Sequence, residues 1–197
     1  MLKIAVSGKA KSGKDTFSNL LMSSLINNIG ESFNGARSFS FADPIKKIIK
    51  IMFPKTKNKY LYGPSEYRET VIPGAFFNGQ PLTYRILLQN LGTEVAQGYK
   101  KDIWLDALDT KLKKAEKKDI SLFVITDLRF LHEYNYLRNN NFVIIRVLRK
   151  NINTMVHKSE TEQDILKNTD FDYVIDNNGS IEDLKIKIQN LSINLLK

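Results

Sequence analysis

Cysteine is absent from the 197 residues. Disulfides, thiolate metal sites and cysteine nucleophiles are therefore excluded, and a reducing, cytoplasmic compartment fits. Long apolar runs are also lacking. None approaches the roughly 18–20 residues needed to cross a bilayer, so no spanning segment, and no integral membrane partner, is expected. The apolar start, Met1 to Ser7, is too short for a secretory leader, because glycine and lysine follow at once. Proline is scarce, and four of the five prolines (Pro54, Pro64, Pro73, Pro81) fall within residues 53–82. Acidic residues are outnumbered: 30 Lys plus Arg face 21 Asp plus Glu, a net charge of +9. That balance favours anionic partners, whether nucleic acid, a membrane surface or small phosphates, without choosing among them. Much of the excess sits in lysine-rich stretches at 46–50 and 111–118, which on helices are mostly solvated faces. Internal repeats and low-complexity tracts are missing too.

What remains is an ordinary globular balance, 42% hydrophobic and 26% charged, in a chain long enough for one domain spanning 1–197 with a real core. Residues 2–7 read as a strand, and 14–29 carry a helical stripe (Phe17, Leu20, Leu21, Leu25, Ile29) ended by Gly30. Alternation at 38–41 predicts a second strand. Asp43-Pro44 then opens a helix to about Met52, with Asp43 as its cap. Residues 53–82 show no sustained periodicity and read as an irregular excursion. Helices are expected at 84–97, 102–117 and 131–139. Apolar runs at 122–126 and 142–148 predict buried parallel strands, and 173–175 a short fifth one. Ser180, three residues before Asp183, caps a last helix. Alternating strands and helices predict an α/β, three-layer architecture, with a central five-stranded parallel sheet and helices on both faces. Ligands of such sheets bind at the carboxyl ends of the strands.

Two features fall at those ends. Gly8-Lys9-Ala10-Lys11-Ser12-Gly13-Lys14 fits G-x-x-x-x-G-K between a predicted strand and a predicted helix, the context that a phosphate loop requires. Main-chain N–H groups of Gly8, Lys11, Ser12 and Gly13 can converge on phosphate oxygens, and Lys14 adds a point charge. Asp15 stands where Ser or Thr usually offers a hydroxyl to magnesium. It reads as a contact to the metal or its water, or as an acid complementing the helix N-terminus. Thr16 is a hydroxyl donor for the α-phosphate. Asp127 ends the 122–126 strand, where an acid often holds magnesium through water, and Arg129 and Glu133 lie nearby. The alternative is that Asp127 caps the next helix and Glu133 pairs with a surface cation.

The series also resembles a family. Residues 8–16 with the unusual aspartate, Phe41-Ala42-Asp43-Pro44-Ile45-Lys46, residues 88–94 with Asp102 and Trp104, Asp127-Leu128-Arg129-Phe130 with Glu133, residues 157–160 and residues 176–180 are similar to the phage deoxynucleoside monophosphate kinases. The resemblance implies a P-loop kinase fold with an acceptor-binding insertion (53–82) and a lid (about 150–168). It implies ATP and Mg²⁺ as cofactors, and small-molecule substrates, ATP and a deoxynucleoside monophosphate. A location in the host cytoplasm follows if the chain is phage-encoded. By the same resemblance Arg68, Arg85, Gly92, Thr93, Trp104, Asp127, Arg129 and Glu133 surround the acceptor, Arg149 belongs to the lid, and Asn177 and Gly179 approach the adenine. Phe130 departs from the glutamine of some members, so the accepted base does not carry over. No stable nucleic-acid complex is expected, and a second copy of the chain is the one protein partner allowed for.

Taken without the family, Trp104 fits the apolar stripe of its helix, Arg68 and Arg85 read equally as surface cations, and His157 as a surface histidine. Two other functions stay open on the residues. One is a kinase of another phosphorylated acceptor, of the phosphomevalonate or dephospho-coenzyme A type. The other is a nucleic-acid-binding module switched by ATP, although no helix-turn-helix, zinc site or aromatic-rich binding sheet supports it.

Overall fold

A computed structural model describes residues 1–28, 33–152 and 157–197, with the backbone alone at Glu160. Ile29, Gly30 and positions 153–156 of the expected lid lie outside the described residues. The chain divides into two compact units, Met1–Ser40 with Leu108–Lys197, and Phe41–Ala107.

The first unit is built on five strands, β1 (Leu2–Ser7), β2 (Ala36–Phe39), β5 (Leu122–Leu128), β6 (Val143–Leu148) and β7 (Tyr173–Asp176). They form one parallel sheet in the order β2-β5-β1-β6-β7, as the sequence predicts. Successive side chains of a strand face opposite ways. Ile4, Val6, Leu122, Val124, Ile145 and Val147 therefore share one face. Helices α1 (Lys14–Asn28) and α9 (Ile181–Leu195) cover it with Phe17, Leu21, Leu25, Leu184, Ile188 and Leu191. The alternate residues, Ala5, Phe123, Ile125, Ile144 and Arg146, face the other side, where α7 (Leu131–Asn139) packs on β6. The later part of α6 (Ile103–Glu116) is tied to this unit by Lys3 to Glu116 at 2.6 Å and by Tyr136 Oη to Asp109 at 2.6 Å.

β2 lies two residues earlier than its alternation suggests. Pairing fixes the register, with Ala36 opposite Leu122 and Phe39 opposite Ile125, and Ser40 leaves the ladder to donate its hydroxyl to Asp127 at 2.6 Å. The expected cap of α9 is present: Ser180 Oγ accepts from Asp183 N at 3.1 Å, and Asp183 Oδ2 accepts from Ser180 N at 2.8 Å. Ser180→Ala removes a partner of the first helical turn. The variant is expected to lose about 1 kcal/mol of unfolding free energy in urea titration, with nucleotide binding unchanged.

The second unit opens with α2 (Asp43–Met52). Its N-cap is Ala42, and Asp43 is instead the first helical residue, 3.7 Å from Lys46. Pro44 is tolerated there because the first turn has no N–H acceptor to lose. The 53–82 excursion is more ordered than its sequence suggests. It contains α3 (Asn58–Tyr62), a 3₁₀ turn (Ser65–Glu69), and an antiparallel hairpin of β3 (Val71–Phe77) and β4 (Gln80–Thr83). Asn78 and Gly79, at φ 50° and 75°, make its two-residue turn. The single helix expected at 84–97 is α4 (Tyr84–Gln89), a π-turn (Asn90–Val95) and α5 (Ala96–Tyr99). The indole of Trp104 donates to Gly92 O inside that π-turn at 2.6 Å. Trp104 is buried with Ile45, Ile49, Leu61, Leu82, Tyr84 and Leu87, the core of this unit.

Candidate phosphate-binding site

β1 ends in Ser7 and α1 begins at Lys14, so residues 8–13 must reverse direction in one tight loop. Lys11 and Gly13 take positive φ, 64° and 86°, and Ser12 N donates to Lys9 O at 3.1 Å. Such alternation turns successive N–H groups toward one point, at the positive end of a 15-residue helix. Space is as restricted as the dihedrals. A Cβ on Gly8 would meet Ser12 Oγ at 2.6 Å and Val147 O at 2.9 Å; one on Gly13 would meet Asn177 Nδ2 at 2.3 Å. That amide donates to Ser12 O at 2.8 Å and so pins the crest of the loop. The hydroxyl of Ser12 is buried and has no hydrogen-bond partner among the described residues, a donor held inside the loop. Lys14 is 5% exposed, with Nζ 3.7 Å from Asp15 Oδ1, whereas Asp15 and Thr16 face solvent.

A cavity of about 540 Å³ adjoins the loop. Its lining includes Gly8, Lys9 and Ser12 of the loop together with Arg149, Asp164 and Lys167. Lys9 Nζ meets Asp164 Oδ2 at 2.8 Å, and Ser7 Oγ donates to Gln163 Oε1 at 3.4 Å. Arg149 is exposed on this wall. Lys9 falls in the loop motif and Gln163 and Asp164 within the expected lid, but none of them was singled out from the sequence, nor was Arg146. Arg146 alone carried a signal there, a charge inside the apolar run Val143-Ile144-Ile145-Arg146-Val147-Leu148.

The end of β5 lies beside the loop, since Ser7 pairs with Leu128. Asp127 accepts from Ser40. Glu133, in the first turn of α7, is buried, and its Oε2 accepts from the main-chain N–H of Arg129 at 2.9 Å and of Phe130 at 3.0 Å. It thus fixes the turn that carries Arg129. Burial pushes its carboxyl up to about 8, with Asp127 adding to the shift and the two N–H donors and Arg129 opposing it. Both donors use Oε2, which leaves Oε1 to carry a proton. The sign follows from linkage. The unfolded carboxyl titrates near 4.5 and the folded one near 8, so the folded state holds the extra proton between them. The stability this supplies is complete below pH 4.5 and is lost as pH rises through 8. Its slope is at most about 1.4 kcal/mol per pH unit. Glu133→Gln keeps an acceptor but cannot ionise. Urea unfolding at several pH values from 5.5 to 7.5 should show a flatter stability profile than the parent, and parallel profiles would refute the assignment.

Asn177 is buried under the loop, and Gly179 is exposed beside Ser180. In the second unit, Arg85 bonds Glu69 through Nε, and its Nη2 donates to Ser65 O at 2.9 Å. Arg68 and Thr93 are half-buried, and Gly92 is buried against Ile45. The first unit therefore brings together the 8–16 loop, Arg149, Asn177 and the 127–133 turn. Arg68, Arg85, Gly92, Thr93 and Trp104 all belong to the second.

A parallel five-stranded sheet flanked by helices, with a G-x-x-x-x-G-K loop joining β1 to α1, defines a P-loop kinase fold. The family model of deoxynucleotide monophosphate kinase matches residues 65–188, well over half of the chain. The chain belongs to that family. The match begins downstream of the phosphate loop, so loop and family are independent indications. No curated protein matches the chain. Among the described residues no helix is long and apolar enough to cross a membrane.

Proposed function

We propose that the chain transfers the γ-phosphoryl group of ATP to a deoxynucleoside monophosphate, giving ADP and the diphosphate. The observation that carries this reading is the 8–14 loop. Its N–H groups and one buried ammonium converge at the carboxyl end of a parallel sheet, in a chain whose downstream residues match a nucleotide kinase family. The Ser12 hydroxyl, without a partner among the described residues, and the positive φ of Lys11 and Gly13 support a triphosphate held by main-chain nitrogens.

Within the first unit, Gly8, Lys11, Ser12, Gly13 and Thr16 bind the donor phosphates. Lys14 meets charge developing on the transferring group, and Arg149 closes on the phosphates. Asn177 supports the loop from beneath, and Gly179 lies on the adenine side. Asp127 and Arg129 orient the acceptor phosphate, and Glu133 acts by holding Arg129 in place. Asp15 and Asp127 would hold Mg²⁺, directly or through water. Among the described residues no cage of three acidic or histidine side chains forms, and magnesium is usually held by one or two carboxylates plus substrate oxygens. When bound, the ion neutralises charge on the phosphate oxygens. Within the second unit, we assign Arg68, Arg85, Gly92 and Thr93 to the acceptor, with Trp104 shaping that region from the core. Arginine suits the task because its fork spans two phosphate oxygens.

The test is an assay of each deoxynucleoside and ribonucleoside monophosphate with ATP and magnesium, alongside phosphomevalonate and dephospho-coenzyme A. Turnover of at least one deoxynucleoside monophosphate is expected. Activity confined to the non-nucleotide acceptors, or salt-sensitive DNA binding without transfer, would replace the reading.

A further inference from the structure

Arg146 lies in the middle of β6, is 7% exposed, and is flanked by apolar residues. A guanidinium in that position costs several kcal/mol of desolvation unless its donors are satisfied. The acceptors all come from one stretch of chain. Nη1 donates to Leu166 O at 2.8 Å and to Asn168 Oδ1 at 3.2 Å, and Nη2 donates to Gln163 O at 2.9 Å. The ring of Phe171 lies 4.7 Å from the guanidinium carbon. No carboxylate of the described residues pairs with it within ion-pair distance, and Asp164 and Asp170 act on it only from further away. A plain structural contact would be served as well by an apolar residue of similar volume. The arginine instead holds a segment whose own regular structure is limited to parts of two short 3₁₀ turns, Glu162–Ile165 and Asn168–Asp170.

That segment reaches the phosphate loop. Asp164 receives Lys9 at 2.8 Å, and Gln163 receives the Ser7 hydroxyl at 3.4 Å. Gln163 is 1% exposed, and its Nε2 has no hydrogen-bond partner among the described residues, so the hold of Arg146 on its carbonyl matters more. We propose that Arg146 is a positioning residue, docking residues 163–168 against the phosphate loop so that the donor nucleotide meets a pre-ordered wall. Ordering this wall in advance removes an entropic cost from nucleotide binding. Lysine cannot substitute, because one ammonium cannot reproduce two guanidinium nitrogens that donate to three separate oxygens. The docking itself is independent of the reaction; its consequence for ATP rests on the function proposed above.

Hydrogen exchange of the whole chain without nucleotide tests the docking, and steady-state kinetics test its consequence. In Arg146→Lys and Arg146→Met, amides of 163–168 should exchange at least tenfold faster, while those of β5 and α1 stay as in the parent. KM for ATP should rise about tenfold, with kcat and the acceptor KM within twofold. If both variants fail to fold, Asn168→Ala and Phe171→Leu trim the far side and leave β6 intact. They should then speed exchange of the same amides two- to threefold and raise KM for ATP in the same direction. Unchanged exchange at 163–168 in folded variants overturns the proposal. So does faster exchange with an unchanged KM for ATP. A parent chain inert toward ATP would instead sink the function, and the exchange result would still decide the docking.

Discussion

Lys14→Ala is expected to lower phosphoryl transfer by a factor on the order of 10³, with the fold retained. The stem of Lys14 is buried at the start of α1, and its ammonium lies 3.7 Å from an exposed aspartate. That contact is long and its acidic partner is open to solvent, so the pair itself contributes little to folding. The charge matters when negative charge moves from the γ-phosphoryl group toward the β-phosphate bridge. An ammonium fixed at that place stabilises the transition state more than the bound substrate. The loss should therefore appear mainly in kcat, with a smaller change in KM for ATP. Lys14→Met keeps the buried stem and removes only the charge. If it melts with the parent and shows the same kinetic loss, packing is eliminated as the cause. Near-normal turnover by either folded variant would remove Lys14, and with it the proposed chemistry.

The sheet was legible because a parallel strand covered on both faces appears in sequence as an unbroken apolar run, as at Leu122-Phe123-Val124-Ile125. The phosphate loop was legible for a different reason: its chemistry is contained within nine consecutive residues. Features set by distant contacts were not. The support of Ser12 O by Asn177 spans 165 residues, and Arg146 meets its acceptors only after α7 and β6 have been placed. The same limit displaced β2, whose register is decided by β5 rather than by its own alternation.

The hairpin is the instructive omission. Asn78-Gly79 is a strong local signal for a two-residue hairpin turn. Within 53–82 it is obscured by four prolines and by the lack of sustained periodicity, which together read as an irregular excursion. A two-stranded ribbon is all edge, so proline can occupy it wherever no partner needs the missing N–H. Alternation also fails when no broad core lies beneath: Val71, Phe76 and Phe77 are all exposed. Similarly, the stripe at 84–97 indicated a helix correctly but could not reveal a π-turn, which is fixed in place by the indole of Trp104. Trp104 and Glu133 thus have contacts that organise main chain. The sequence had suggested their importance without showing that they act through backbone.

Gly13→Ala offers the second large effect. At φ +86° an alanine is strained by roughly 1–2 kcal/mol before any contact is considered. Its Cβ would stand 2.3 Å from Asn177 Nδ2, so the amide must withdraw and release Ser12 O, costing about 1 kcal/mol more. Unfolding free energy should fall by about 2–3 kcal/mol. ATP affinity should fall at least a hundredfold, a loss on the order of 3 kcal/mol, because the N–H groups no longer converge on one phosphate. Asn177→Ala relieves the collision but loses the same hydrogen bond to Ser12. The two substitutions therefore remove one shared interaction, and their effects on stability should not sum. The Gly13→Ala/Asn177→Ala double variant should be more stable than addition of the singles predicts, by about 1 kcal/mol in a urea-based cycle. Strict additivity would mean that Asn177 does not brace the loop, and that its crest is held by the backbone dihedrals alone.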